Sequence, residues 1–531
     1  WNDISAYTPH AQTRGTIRYV KAGENGSCTS WADDYELQSA LSIAASGDQV
    51  WVAAGTYKPT TDTDRTISFR LISGVAIYGG FPASGGAWAD RDWEAYPTIL
   101  SGDIGVSGTM NDNSYHVVRS ESVNETAILD GFEVMNGFAF SASLYPHYAG
   151  GGMYNNQSSP TLNNILFIEN RAGREGGGMH NNYSSPTLSN ITFENNQSAD
   201  DGGGMYNDSS SNPTLTNVTF KNNDADVGGG MYNYQSSPTL TYVTFSDNNA
   251  DYGGGMYNKQ SSPTLTHVTF KNNDGQWDGG GMYNNSVGID NTSTPTLTNV
   301  IFIENSTTGH GGGMVNKYVT PTLTNVTFSS NTADLGGGMY IYNSNPTLTN
   351  VTFSGNSAVN GSGGGLLNNV SSPTLTNVTF SGNTASSTGG GMQNAPNSNP
   401  VLINVTFTGN SAGSLGGGLY NESSATLANV IGWGNSPDQI YNDGSTATVT
   451  FSIIQGGYIG TGNLDDDPLL GPLADNGGFT QTHALTEGSP AIDAGDPTNC
   501  PMFDQRGFDR PVDGDKNGTA VCDMGAYEYG A

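Results

Sequence analysis

Three consecutive glycines followed by Met or Leu recur eleven times, ending at Met153, Met179, Met205, Met231, Met256, Met282, Met314, Met339, Leu366, Met392 and Leu419. The copies lie 25 to 27 residues apart, except for one step of 32. Each carries a second block, as in Pro213-Thr-Leu-Thr-Asn-Val-Thr-Phe220. An Asn follows three places beyond the Phe position in every copy: Asn170, Asn196, Asn223, Asn248, Asn273, Asn305, Asn331, Asn356, Asn383, Asn410 and Asn435. In the last copy Gly432 takes the place of the Phe, which marks the end of the regular stack. Gly triplets and Pro interrupt every window long enough for a helix, and the remainder is rich in β-branched residues. Short strands that turn three times in a period near 26 make a parallel β-helix, with like residues stacked about 4.8 Å apart.

Alternation assigns the faces. In Met-Tyr-Asn, Met points inward, Tyr outward, and Asn inward at a bend; Met205, Leu215, Val218 and Phe220 stand for four core ladders. The Gly triplet is expected to bend tightly with positive φ. Asn forms three columns: after Met-Tyr in ten of eleven copies, after Leu-Thr in nine of eleven, and after Phe-x-x in all. Stacked amides hydrogen-bond up and down such columns. The N-[VI]-T sequons at Asn190, Asn217, Asn325, Asn350, Asn377 and Asn404 fall in the second column and are expected to be buried. Asn196 and Asn291 are the expected loop acceptors for a glycan.

Charged residues make up 12% of the chain and the formal charge is -31 with 17 Lys+Arg. The absence of basic clusters to neutralise phosphates argues against nucleic acid and anionic membrane as partners. No run of 18 apolar residues is present, so no membrane span is expected. The acidic, lysine-poor surface suits the exterior of a cell and divalent cations. Cys500 and Cys522 flank a short polar loop and could close a disulfide in an oxidising compartment, leaving Cys28 as a lone, partly buried thiol. The chain begins at Trp1 rather than Met, so the absence of an export signal is uninformative.

A stack of coils exposes raw strand edges, so caps are expected at both ends. Asp33–Ala45 reads as an amphipathic helix with acids in its first turn, placed as a lid before the strand run Gln49–Tyr57. Four segments follow: an arm or disordered tail over 1–17; a cap and irregular coils over 18–148; the eleven regular coils over 149–435; and C-terminal coils with a loop-rich module over 436–531.

The sharpest metal signal is Asp513-Gly-Asp515-Lys-Asn517-Gly518, whose oxygen ligands at positions 1, 3 and 5 match the first half of a calcium loop. Asp523 or Glu528 is the candidate for the missing acid, and Ca²⁺ is the expected cofactor. Glycan cleavage needs paired carboxylates within about 5–10 Å. Asp200-Asp201 and Gly309-His310-Gly311 lie four coils apart, roughly 19 Å at strand spacing, and cannot share one site. Glu175 and Asp201 fall at one loop position on adjacent coils, with Asp278 three coils later, but no basic residue joins them in the sequence. The outward column Tyr154, Tyr206, Tyr232, Tyr257 and Tyr283, continued by Tyr340 and Tyr420, either stacks to stabilise the sheet or offers a flat strip for sugars.

The paired GG-[GA]-[ILVM] and F-x-x-N elements over residues 150–435 resemble the repeat of polymorphic outer-membrane proteins, which are β-helical surface adhesins. Asp467-Pro-Leu-Leu-Gly-Pro-Leu, Gly488-Ser-Pro-Ala-Ile-Asp-Ala-Gly495, Asp504-Gln-Arg-Gly-Phe-Asp-Arg-Pro511 and Cys522-Asp-Met-Gly-Ala-Tyr-Glu528 resemble the choice-of-anchor Q domain of secreted bacterial β-helix proteins. Trp51–Pro59 and Ile77–Phe81 are similar to the N-terminal part of the same proteins. The resemblance implies export and surface display and no activity. The expectation is an all-β, single-stranded right-handed parallel β-helix, a pectate-lyase-like solenoid with an N-terminal helical cap and a loop-rich C-terminal cap. Its expected role is non-enzymatic, structural or adhesive, at a prokaryotic surface, with end-to-end self-association into a fibre. The alternative is a polysaccharide-binding or polysaccharide-degrading protein. Function is expected where copies differ: the Tyr column, the long loop at 285–294, and the two ends.

Overall fold

The computed structural model describes residues 15–23, 25–141, 145–286 and 293–531. The arm over 1–17 therefore lies almost wholly outside the described residues, as does Asn291. The fold is an all-β parallel solenoid of about 15 turns with almost no helix. It divides into two compact units: Trp1–Ser198 with Ser211–Thr214, and Ala199–Ser210 with Leu215–Ala531.

In the first unit, one wall of parallel strands runs through Ile17–Val20, Gln49–Ala53, Ala76–Phe81, Ile128–Met135, Thr161–Ile168 and Thr187–Glu194. A second wall holds Phe69–Arg70, Val118–Glu121, Met153–Asn156 and Met179–Asn182. The helix covers only Leu37–Ile43 and buries Leu37, Ala40 and Leu41. The residues expected to form its first turn are instead a strand, Asp33–Tyr35, antiparallel to Asn25–Ser30. Asp33 is committed there, because its carboxylate accepts from the Ser27 amide at 3.0 Å. Outside this wall an aromatic cluster packs, with Trp51 stacked on Phe81 at 4.7 Å. Arg91 lies over Tyr78 and Trp88 and pairs with Asp130 at 2.6 Å.

Regular coils build the second unit. In the coil that starts at Met314–Lys317, the chain continues through Thr322–Ser329 and Thr332–Ala333. Met314, Leu323, Val326 and Phe328 are fully buried. Tyr318, Asn325, Ser330 and Gly336 turn the corners with φ of 57°, 56°, 55° and 63°. Left-handed corners favour Gly and Asn, which explains why Asn recurs after Leu-Thr. From Phe220 to Phe407 the Phe rings stack at 4.7 to 4.8 Å, within 5° of parallel.

The Gly triplet serves the expected purpose at its first position and a different one at the other two. Only its first glycine has positive φ. A Cβ on the second, Gly337, would sit 2.5 Å from the Ser357 carbonyl oxygen and 2.6 Å from that of Gly364. Neighbouring backbones approach too closely at this corner for any side chain.

The asparagine columns also depart from expectation. The Phe-x-x-Asn column is the most deeply buried. Asn331 Nδ2 donates to Asn356 Oδ1 at 3.0 Å and to the Phe302 carbonyl at 2.9 Å, while its Oδ1 accepts from Asn305. Asn196 belongs to this column and is fully buried, so it is not an accessible acceptor. The Leu-Thr-Asn column points outward, because the left-handed corner reverses the strand alternation; Asn377 and Asn404 are buried as expected, but under the C-terminal residues rather than in the core. Asn190 and Asn217 are exposed, and Asn350 Nδ2 bonds outside the barrel to Asn325 Oδ1 at 3.1 Å. The Met-Tyr-Asn column is a buried ladder broken by Ile341; Asn316 Nδ2 and both amide atoms of Asn368 are left without a hydrogen bond.

Residues 465–531 do not sit on the end of the stack. They lie along the outer side of the Leu–Phe wall, and polar groups of that wall hold them. Thr352 Oγ1 donates to the Gln481 carbonyl at 2.7 Å, and Thr379 Oγ1 to Gln505 Oε1 at 2.7 Å. Asn377 Nδ2 donates to the Phe503 carbonyl at 2.8 Å; Asn404 Nδ2 donates to the carbonyls of Asp523 and Gly525, both at 2.9 Å. On the Leu–Phe wall the preceding segment continues the last edge: Phe451 N donates to the Thr461 carbonyl and Leu464 N to that of Ser452. Cys500 and Cys522 are joined in a disulfide, with Cα atoms 5.9 Å apart, and Cys28 is fully buried.

Candidate functional site: an ion triad over the tyrosine column

On the outer side of the Met wall, three columns run in parallel. The middle one is the tyrosine column: Tyr206, Tyr232, Tyr257 and Tyr283 stack at 5.0 to 5.1 Å, within 9° of parallel. The exposed strip expected for sugars is not what these rings form. Tyr206, Tyr232 and Tyr283 are buried because the two outer columns lean over them. Tyr252 meets Tyr283 edge-on at 5.8 Å from one side, and Lys317 Nζ lies 5.2 Å from the Tyr283 ring centre on the other. Tyr154, in the first unit, is 1% exposed and packs between His116 at 5.2 Å and His180 at 5.4 Å.

Where Val315 takes the place of a tyrosine, the smaller side chain leaves room for charged neighbours. Asp278 Oδ1 accepts from His310 Nδ1 at 2.5 Å and from the His310 amide at 2.9 Å. Its other oxygen accepts from Lys317 Nζ at 2.8 Å. Asp278, at the end of Asp274–Asp278, pairs in parallel with His310 in an isolated bridge, and Lys317 comes from the far end of the next Met strand. Burial pushes the Asp278 carboxyl up, but the bonds from His310 and Lys317 outweigh it and hold it below the ordinary carboxylate range. For Lys317, burial acts downward, and Tyr283 and Asp278 together raise it above the usual ammonium value. Since Asp278 is a carboxylate acceptor, Nδ1 of His310 carries the proton, and Nε2 remains as the free ring nitrogen in the neutral form.

Beside the triad the strand carries an extra residue. Asn249 and Ala250 pair with Asp274 and Gly275, but Tyr252 pairs with Asp278, so the register shifts within Asp274–Asp278. A bulge of this kind re-aims a side chain. Trp277, within it, is 53% exposed, and Tyr252 on the neighbouring coil is 37% exposed. A Cβ on Gly309 would lie 1.6 Å from the Trp277 carbonyl oxygen, so the glycine before His310 lets the next coil close against the bulge.

The other candidate residues are more dispersed. Glu175 lies in the first unit with its carboxylate 3.8 Å from His180 Nδ1, and Asp201 lies in the second. In the C-terminal module the carboxylates that converge, with ligand atoms within 4.8 Å of one another, are Asp493, Asp513 and Asp515. Asp523 is not among them. It is buried and accepts from the amides of Asp493 and Tyr529, and burial together with Glu528 pushes its carboxyl up to about 8. Asn517 is turned inward on the loop, with Nδ2 donating to Asp515 at 2.7 Å and Oδ1 accepting from the Thr519 amide. Nothing in the loop motif singles out Asp493, which stands 20 residues before it.

Coil architecture defines the class, a right-handed β-helix. Residues 143–289 and 285–454 match the family described as "Right handed beta helix region", and the chain belongs to that family. Among solved structures it is similar to pectate lyase Pel9A, with 13% identity over 98% of both chains and a TM-score of 0.27. It is similar to bacteriophage CBA120 tailspike protein 3, with 11% identity over 78% of this chain and 57% of that one and a TM-score of 0.29. The catalytic unit of a thermostable GH87 α-1,3-glucanase from Streptomyces thermodiastaticus gives 13% identity over 77% and 65%, with a TM-score of 0.27. No curated protein matches the sequence.

Proposed function

We propose that this is an exported β-helix protein of the cell exterior that binds polysaccharide and does not cleave it. The observation that carries the reading is the closure of the triad on itself. Asp278 is held on both oxygens by His310 and Lys317, so the carboxylate is already committed and is not poised to share acid and base roles with another. The rings of Trp277 and Tyr252 beside it stay open to solvent. The recurring residues are committed to core, corners and ladders, which leaves recognition to positions where coils differ. Surface display, as the choice-of-anchor Q resemblance implies, belongs to the same proposal. End-to-end fibre growth draws no support from the last edge of the Leu–Phe wall, where Thr461 and Leu464 already pair. Ca²⁺ at Asp493, Asp513 and Asp515 would serve the C-terminal module as a structural tie.

Retention of the purified chain on insoluble polysaccharides, with reducing ends and unsaturated products measured in the supernatant, tests the reading. Retention without new ends is expected. Release of new ends would replace binding by cleavage, and no retention on any polymer would remove the proposal.

A further inference from the structure

We infer that Trp277, Tyr252, His310 and Lys317 form one saccharide subsite selective for neutral rather than acidic sugars; this deepens the polysaccharide reading and rests on it. Three observations converge. First, the bulge within Asp274–Asp278 turns Trp277 out of the coil while Tyr252 stands one coil away, so two large rings are exposed on the same edge. The C–H face of a pyranose is flat and apolar, and an exposed indole offers it a matching surface.

Second, the polar atoms beside these rings are held in place before any ligand arrives. His310 is fixed through Nδ1 to Asp278 and leans on the Tyr340 ring at 4.5 Å. In the neutral ring its Nε2 is an acceptor. Lys317 gives one N–H to Asp278 and lies 5.2 Å from the centre of the Tyr283 ring, which leaves a further N–H as donor. A sugar hydroxyl both donates and accepts, so an imidazole nitrogen and an ammonium fixed by a common carboxylate suit it.

Third, the charge of the site cancels. Asp278 neutralises Lys317, and Asp251 and Asp274 stand within three residues of Tyr252 and Trp277 in the sequence of a chain with net charge -31. A polyuronate would approach against that field, and a neutral glycan would not.

Affinity electrophoresis of the full chain with a soluble β-glucan, a neutral xylan and polygalacturonate at one ionic strength tests the inference. Wild type should be retarded by a neutral polymer and not by polygalacturonate. Trp277→Ala should weaken retardation about tenfold, and His310→Ala severalfold, with unchanged thermal unfolding for Trp277→Ala because its side chain is exposed. Tyr183→Ala, which removes an exposed ring in the first unit, should behave as wild type. Retardation by a neutral polymer that Trp277→Ala leaves intact would overturn the subsite and keep the wider reading. Tighter binding of polygalacturonate would overturn the sugar class, and no retardation by any polymer would overturn both.

Discussion

Lys317 reaches over the tyrosine column to Asp278, with Nζ 2.8 Å from Oδ2, and Asp278 is held from its other side by His310. Removing Asp278 leaves a half-buried ammonium without its counter-charge, whereas removing Lys317 leaves Asp278 with one partner still in place. Asp278→Ala should therefore cost about 2–4 kcal/mol in denaturant unfolding, and Lys317→Met clearly less. Equal costs would mean that the two groups do not act as a pair.

Ile341 interrupts a buried amide ladder, and Asn316 and Asn368 on either side have unused hydrogen-bonding atoms. Ile341→Asn loses about 2 kcal/mol of apolar burial but supplies partners for both neighbours, each worth about 1–3 kcal/mol. Its stability should lie within about 1 kcal/mol of wild type, while Val326→Asn, which offers no such repair, should lose more than about 3 kcal/mol. A large loss at Ile341 would show that those amides are satisfied in another way.

Two glycine substitutions separate the two reasons for glycine. Gly382 has φ 64°, and a Cβ added there would meet nothing within 4 Å, so Gly382→Ala should cost about 1–2 kcal/mol from backbone strain alone. Gly337→Ala drives a methyl into two backbone oxygens, and a loss above about 4 kcal/mol, or failure to fold, is expected. Similar melting temperatures for the two variants would contradict the close approach.

His116 and His180 are fully buried in the first unit, and burial holds each imidazole down to about 3. In the unfolded chain both take up protons near pH 6.5. The unfolded state thus binds more protons between those values, and stability should fall as pH drops from about 6.5 toward 3 and level off below. His180→Tyr, the residue most common in that column, should flatten the pH dependence of unfolding over this window. An unchanged slope would remove the assignment.

Ca²⁺ at Asp493, Asp513 and Asp515 should raise the melting temperature of the full chain, and chelator should reverse the rise. Asp513→Asn should abolish the response. A melting temperature indifferent to both additions would leave the loop as a hydrogen-bonded turn.

The repeat made the solenoid legible because its period set the strands, and apolar residues two apart set the core ladders at Met, Leu and Phe. Simple alternation failed where one residue turns left-handed: Asn325 at φ 56° is inward by counting and points outward in fact. The triad was hidden because Asp278 and Lys317 stand 39 residues apart and meet only through coil stacking. Two signals were present nevertheless. The Asn-to-Gly-triplet interval grows by one residue from Asn248 to Asn273, although the longer interval also occurs in coils without a triad, and Val315 interrupts the tyrosines. The position of the C-terminal module was not readable, since the Thr and Asn side chains that hold it also recur in coils it never touches.

The methyl-free corner at the second and third glycines limits how such a molecule can change in length. A single inserted or altered residue there collides with the coils above and below, yet removing or duplicating one full inner repeat leaves the neighbouring triplets stacked on one another. Length is therefore adjustable in steps of one coil of about 4.8 Å, and each added step brings its own set of outward positions with it.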